Sequence, residues 1–199
     1  MCIQAASHSS PPRRLPRLER QASIVRAAAR AFARAGFDGT SMDDVATEAG
    51  VTRLIVYRNF DSKNDLYRAV LEHTTGRLAA AFEHHRAAGR NFAVRAILEV
   101  ARADPDGVRL LWLHAAHEPE FADHAAAFRA GVISYARELL DPLIGDPRWR
   151  PWAAKVVVDH LYDAVLTWLE VGAADRDEEF IALVSAGMRA MLNAWAVPA

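Results

Sequence analysis

Apolar side chains recur every three or four residues over most of the chain, and no stretch alternates for long with the two-residue period of a strand. Residues 18–37 carry Ile24, Val25, Ala28, Ala31, Phe32 and Ala35 on one helical face, and Gly36 follows where such a helix would end. Thr40 or Ser41 then caps a short helix through Met42, Val45, Ala46 and Ala49, with Asp43 and Asp44 well placed in its first turn and Gly50 to stop it. Thr52 caps a third short helix running to about Asn59. Ser62 caps a fourth that starts at Lys63 and continues through Leu66, Tyr67, Val70 and Leu71 towards His85. Breaks at Gly89, Asp104-Pro105, Pro119 and around residues 145–151 and 172–177 divide the remainder into five further helices, over 92–103, 106–117, 120–144, 152–171 and 178–196. The pattern predicts an all-α protein of about nine helices.

Composition narrows what such a bundle does. The 199 residues are 52% hydrophobic and 25% charged, which is globular usage. Cys2 is the one cysteine, so neither an intrachain disulfide nor a thiolate metal cage is expected, and a reducing, cytoplasmic setting follows. No apolar run approaches the roughly 20 residues of a membrane-spanning helix, and residues 1–17 lack a signal peptide's apolar core. A soluble protein without a membrane partner is expected. The formal net charge of -1 is uninformative, but its distribution is uneven: residues 1–75 carry net +3 and residues 76–199 net -4. Residues 1–17, rich in Ser and Pro and bearing Arg13, Arg14 and Arg17, read as a flexible basic arm.

The segment 40–60, TSMDDVATEAGVTRLIVYRNF, has the grammar of a helix-turn-helix: a capped short helix, a tight turn at Gly50-Val51 and a second short helix. With Val45, Ala46, Ala49 and Val51 packed inward, the second helix turns Thr52, Arg53, Leu54, Tyr57 and Arg58 outward, and a helix of that width fits the DNA major groove. Chemistry divides the roles. Arg53 suits a bidentate pair with guanine, Leu54 a thymine methyl, and Thr52 a base or phosphate. Tyr57 suits the sugar-phosphate chain, Lys63 in the first turn of the fourth helix suits a phosphate, and Thr40 and Ser41 offer a similar contact at the second helix. Arg14, with its neighbours in the arm, is placed to track phosphates or enter a minor groove.

The ordered string Ala35-Gly36-Phe37, Thr40-Ser41-Met42, Val45-Ala46, Ala49-Gly50-Val51, Tyr57-Arg58-Asn59-Phe60, Ser62-Lys63 and Asp65-Leu66-Tyr67 resembles the amino-terminal signature of the tetracycline-repressor (TetR) family of bacterial transcription regulators. The resemblance covers about residues 18–72. It implies DNA-contacting roles for Thr40, Thr52, Arg53, Tyr57 and Lys63, and a division into a helix-turn-helix domain over 18–62 and a larger helical ligand-binding and dimerisation domain over 63–199. One departure is Leu54, where family members often carry Gly or Ala; Ile55 and Val56 after it are also bulkier than usual.

Beyond His73 the residues speak for themselves. Val156, Val157, His160, Leu161, Ala164, Val165, Trp168 and Leu169 recur along one predicted helix, and Phe180, Leu183, Val184, Gly187, Met188, Met191, Leu192 and Trp195 along the last. Two such faces form half a four-helix bundle that a second copy completes, so a homodimer is expected. Its two readers then engage a near-palindromic operator in double-stranded DNA. Phe82, Trp112, His117, Phe121, Phe128, Tyr135, Tyr162 and Trp168 are candidate walls for a small effector, which the absence of an Arg or Lys cluster on these faces makes mostly apolar or aromatic. The expected function is a sequence-specific DNA-binding regulator, a repressor released by that ligand, with no cofactor.

The rival is an all-α metal- or cofactor-binding enzyme using the cluster His114, His117, Glu118, Glu120 and His124. His-x-x-His-Glu is not the zincin spacing, and Pro119 breaks the helix before a third ligand is fixed, so no metal site is expected. Nor does the chain offer a nucleophile with a His-acid partner or a glycine-rich phosphate loop. No catalytic residue is assigned.

Overall fold

The computed structural model describes residues 17–89 and 91–196. Among the described residues there are nine α-helices and no strand: α1 (Arg17–Ala35), α2 (Met42–Ala49), α3 (Arg53–Tyr57), α4 (Lys63–Ala88), α5 (Phe92–Ala103), α6 (Pro105–Arg109), α7 (Ala122–Leu140), α8 (Arg150–Val171) and α9 (Asp177–Trp195). None of these helices is long and apolar enough to cross a membrane.

Local chemistry sets several of the boundaries. Ser41 forms a reciprocal capping box with Asp44 at the start of α2, and the Ser62 hydroxyl accepts from the Asp65 amide at the start of α4. Asp104 accepts from the Gly107 amide at 3.1 Å and opens α6, with Pro105 in the first turn, where its missing N–H costs nothing. Gly107 is needed for space. A Cβ there would lie 2.6 Å from both Thr74 Oγ1 on α4 and Asp104 Oδ2, so only glycine lets α6 lie this close to α4.

One expected helix has a different form. The segment 106–117 is α-helical only to Arg109, widens into a π-helical turn at Leu110–His114 and tightens into a 3-10 turn at Ala115–His117. Side chains compete for its backbone: Arg129 on α7 donates to the Trp112 carbonyl at 3.1 Å and lies 3.6 Å from the centre of the Trp112 ring. That carbonyl has a partner outside the helical ladder, a recognised cause of a widened turn.

Packing joins the elements around one continuous set of buried residues from Ile24 to Met188. α1 lies against α2, α4 and α6; α4 runs along α5; α8 lies against α5 and α7; and α9 packs on α5 and α8. A knot of rings, Phe32, Phe37, Tyr67 and Phe121, ties α1, the loop after it and α4 to the segment before α7, with Tyr67 and Phe121 stacked at 4.2 Å. α9 is pinned at its start. Asp177 accepts from Arg102 on α5 at 2.7 and 3.0 Å and from the Trp168 indole on α8 at 2.7 Å, and these bonds, the Arg102 guanidinium first, hold its carboxyl below the usual carboxylate range.

Candidate nucleic-acid interface and ligand cavity

The amino-terminal helices build a rigid mount for α3. Val45, Ala46 and Val56 are buried, so α2 and α3 close on the face of α1 that carries Ile24, Ala28 and Phe32. The turn between them works because Gly50 sits at φ 65°, a left-handed conformation that glycine adopts at no steric cost, and because the Val51 amide donates to the Ala46 carbonyl at 3.0 Å. Across the mount, Arg30 and Arg34 of α1 clamp Glu48 of α2 at 2.7 and 3.1 Å. Hydrogen bonds from Arg30 and then Arg34 lower the Glu48 carboxyl, as those from Ser41 lower Asp44.

Once Val56 and half of Ile55 are turned inward, α3 presents the face expected from the sequence. Thr52, Arg53, Leu54, Tyr57 and Arg58 are all exposed, Leu54 by 59%. Arg53 is held by Asp43, which also sits in the first turn of α2 and pairs with it at 2.8 Å, while the Tyr57 hydroxyl receives a 3.3 Å hydrogen bond from its guanidinium. An exposed pair of this kind is weak and readily exchanged, so Arg53 is parked rather than locked.

Two other expected contacts have structural work of their own. Thr40 is buried, and its hydroxyl donates to the Gly36 carbonyl at 2.7 Å, with the Ala31 carbonyl at 3.2 Å; Ser41 takes the cap and faces outward. Lys63 is half-buried, donates to the Phe37 carbonyl at 2.8 Å and lies 4.2 Å from the centre of the Phe37 ring. An ammonium has three donors, so a phosphate contact and this loop contact are compatible. Arg14 lies outside the described residues.

A cavity of about 520 Å³ opens between α4, α5, α7, α8 and α9. Of the expected walls, Phe82, Tyr135 and Tyr162 line it, and Phe128 lines a smaller adjoining recess shared with the same three. Trp112 stands behind Tyr162, stacked on its ring at 4.0 Å and 9°. The other three lie elsewhere: Phe121 in the ring knot, Trp168 stacked on Phe180 at 4.9 Å, and His117 exposed on its 3-10 turn. The remaining walls are Phe92 and aliphatic side chains, among them Ile97, Val132, Leu161 and Met188, and the polar residues Asn91, Ser185 and Arg189 complete it. Neither Ser185 nor Arg189 stands out in the sequence, because a lone serine and a lone arginine in a helix have no signature. Among the described residues no group of three or more His, Cys, Asp or Glu could hold a metal ion; His114, like His117, is exposed.

Comparison with known proteins bears on both regions. Residues 24–70 match the model of the bacterial regulatory proteins of the tetR family. The HTH-type transcriptional activator FasR of Mycolicibacterium smegmatis is 33% identical over 105 residues, an alignment that spans 50% of this chain and only 48% of that relative. Among solved structures, a TetR-like transcriptional regulator from a Rhodococcus species superposes with a TM-score of 0.74 at 19% identity, covering 90% of this chain and 98% of that one. The fatty acid degradation regulator FadR from Bacillus halodurans gives a TM-score of 0.65 at 17% identity, covering 89% and 99%. Residues 24–70 thus match the helix-turn-helix segment of the tetR family, with the outer face of α3 exposed, and the chain as a whole shares the fold of TetR-like regulators.

Proposed function

We propose that the protein is a homodimeric cytoplasmic repressor that leaves a near-palindromic operator when a small, mostly apolar molecule fills the cavity between α4, α5, α7, α8 and α9. The observation that carries this reading is the pairing, in one chain, of an outward-facing α3 with an unfilled apolar space. The functional division proposed is a reading domain over 18–62 and a sensing and pairing domain over 63–199.

Support for the dimer comes from α9. Phe180, Val184 and Met188 are buried within the chain, whereas Ala182, Leu183, Ala186, Gly187 and Ala190 form a second stripe, all exposed, with Leu183 at 74%. Small residues around one leucine suit the close approach of another helix, so this stripe seats its counterpart across a two-fold axis. Two α3 helices then meet half-sites about 34–36 Å apart or a multiple of that spacing. Repression is favoured over activation because occupying an operator requires no additional surface.

A contiguous set of contacts supports release. Tyr162 on the cavity wall stacks on Trp112 in the π-helical turn; nine residues on, Phe121 stacks on Tyr67 and meets Phe37, while Glu120 accepts from Asn64 in the first turn of α4. A ligand that moves Tyr162 therefore pushes on the mount of α3, and mis-spaced readers cannot fill both half-sites. The metal- or cofactor-dependent enzyme is not favoured, since the relatives are regulators and His114 and His117 stand apart on the surface.

The test is to select bound fragments from the source genome with purified protein and measure affinity and stoichiometry on them. Two chains per palindromic site are expected, with Arg53→Ala losing preference at one base position and Tyr57→Phe weakening every sequence alike. Absence of binding to any duplex at low salt overturns the reading, as does one chain per site.

A further inference from the structure

We infer that the effector cavity takes an aliphatic monocarboxylate, with its head group between Arg189 and Ser185 of α9 and its chain among the aliphatic walls. The inference rests on the ligand-responsive reading above and adds to it the chemistry of the ligand.

Three features of the cavity point this way. First, its walls are dominated by branched aliphatic side chains from four helices, including Ile97, Val132, Val157, Leu161 and Leu192, which suit a flexible hydrocarbon better than a stacked ring. Leu139 and Leu143 also line it and remain 46% and 50% exposed, so apolar surface is left in water until something covers it. Second, two buried hydroxyls on the wall lack a partner, Ser185 Oγ and Tyr162 Oη. Ser185 is 8% exposed and Tyr162 1%. Burial pushes the Tyr162 phenol well above its ordinary range, so it stays a neutral O–H that can donate. A buried hydroxyl without a partner carries a desolvation penalty that an oxygen-bearing ligand removes.

Third, Arg189 is the one charged residue among the described residues that line the cavity. It follows Ser185 by four residues, so both lie on one face of α9, the serine inside and the arginine, exposed, towards the rim. Its hydrogen bond to Asn91 Oδ1 is long, 3.4 Å, and no carboxylate pairs with it among the described residues. Elsewhere Arg95, Arg102, Arg129 and Arg176 all hold carboxylates at 3.0 Å or less. A guanidinium left without an anion beside an apolar cavity recognises a carboxylate by a two-pronged contact.

The experiment titrates the full-length protein with decanoate, dodecanoate and tetradecanoate, each below its micelle-forming concentration, and with the methyl ester of each. Binding is read by calorimetry and DNA release by fluorescence anisotropy on a selected operator. The acids are expected to bind roughly ten- to a hundredfold more tightly than their esters, from the loss of a charge-assisted contact. Arg189→Met removes that difference by weakening the acids alone, and Ser185→Ala weakens the acids to a smaller degree. Both positions are on an exposed or small-residue site, and retained operator binding by each variant shows that it is folded.

Equal affinity of acid and ester overturns the inference, as does an Arg189→Met variant that binds acids like the parent. Release of the operator by neutral hydrocarbons alone overturns it while leaving the proposed function standing. Acid binding that depends on Arg189 but leaves DNA affinity unchanged upholds the inference and defeats ligand-controlled release instead.

Discussion

The two ends of this molecule handle buried space in opposite ways. Around α1 to α3 the interior is full: Ile24, Ala28, Val45 and Val56 are completely buried, rings of Phe32, Phe37 and Tyr67 interlock, and Thr40, Ser41 and Glu48 have partners, with the Tyr67 hydroxyl left unpartnered. Between α5, α7, α8 and α9 a cavity remains, with Ser185 and Tyr162 hydroxyls unpartnered on its wall. A reading surface must hold its side chains in one arrangement to discriminate bases, whereas a sensing region must keep a state that an occupant improves. Under the proposed function, the contrast corresponds to precision at one end and adaptability at the other.

The largest expected effect comes from emptying the full end. Phe32→Ala should cost about 3–5 kcal/mol, because the ring is 1% exposed and meets both Phe37 and Tyr67; a urea midpoint that hardly moves would mean that this region is looser than its geometry. Next comes the pin between the two halves of the carboxy-terminal part. Asp177→Asn should lose about 1.5–3 kcal/mol at neutral pH, since a charged acceptor of three hydrogen bonds becomes neutral. Its carboxyl is depressed in the folded protein, so the stabilisation is present above the unfolded value near ~3.9 and disappears as pH falls through the lower folded value. Thermal unfolding of parent and variant should converge in strong acid.

Adding volume sharpens the contrast, because one change made at both ends should have opposite signs. Ala46→Leu, between α1 and α2, should destabilise by about 1–3 kcal/mol through overpacking. Ala136→Leu, on the cavity wall, should stabilise by about 0.5–2 kcal/mol and blunt the response to effector. The same sign at both positions would erase the distinction. The smallest effect expected is at Asp43, whose carboxylate pairs with Arg53 on the exposed side of α3. Asp43→Asn should tighten binding to all duplexes a few-fold, which anisotropy titrations at two salt concentrations would detect.

Helix order was readable because its signals are local. Ser41, Ser62 and Gly50 announce helix ends through their own backbone chemistry, and the pattern gives α5 its observed limits, Phe92 to Ala103. The segment after α6 was not readable as a wide turn, since Arg129 reaches its carbonyl from a different helix. The last helix carries two apolar stripes that merge in sequence; only packing separates buried Val184 and Met188 from exposed Leu183 and Gly187. At the reading helix, exposure of Arg53, Leu54 and Tyr57 follows from burial of Val56 alone, but the inward turn of Thr40 depends on carbonyls at the end of α1. Aromatic residues drew attention to the cavity, yet much of its wall is ordinary valine and leucine from distant helices.

Trp112 makes the interior observable. Its indole lies flat on Tyr162, beneath the Arg129 guanidinium, with its N–H directed to Asp163 at 3.2 Å. Emission from an indole sandwiched between a phenol and a cation shifts in colour and intensity when either moves. With Trp149, Trp152, Trp168 and Trp195 replaced by phenylalanine, the protein would carry a single tryptophan, excited apart from its tyrosines near the red edge, against the wall of its own chamber, reporting arrival of a guest in light before any duplex is added.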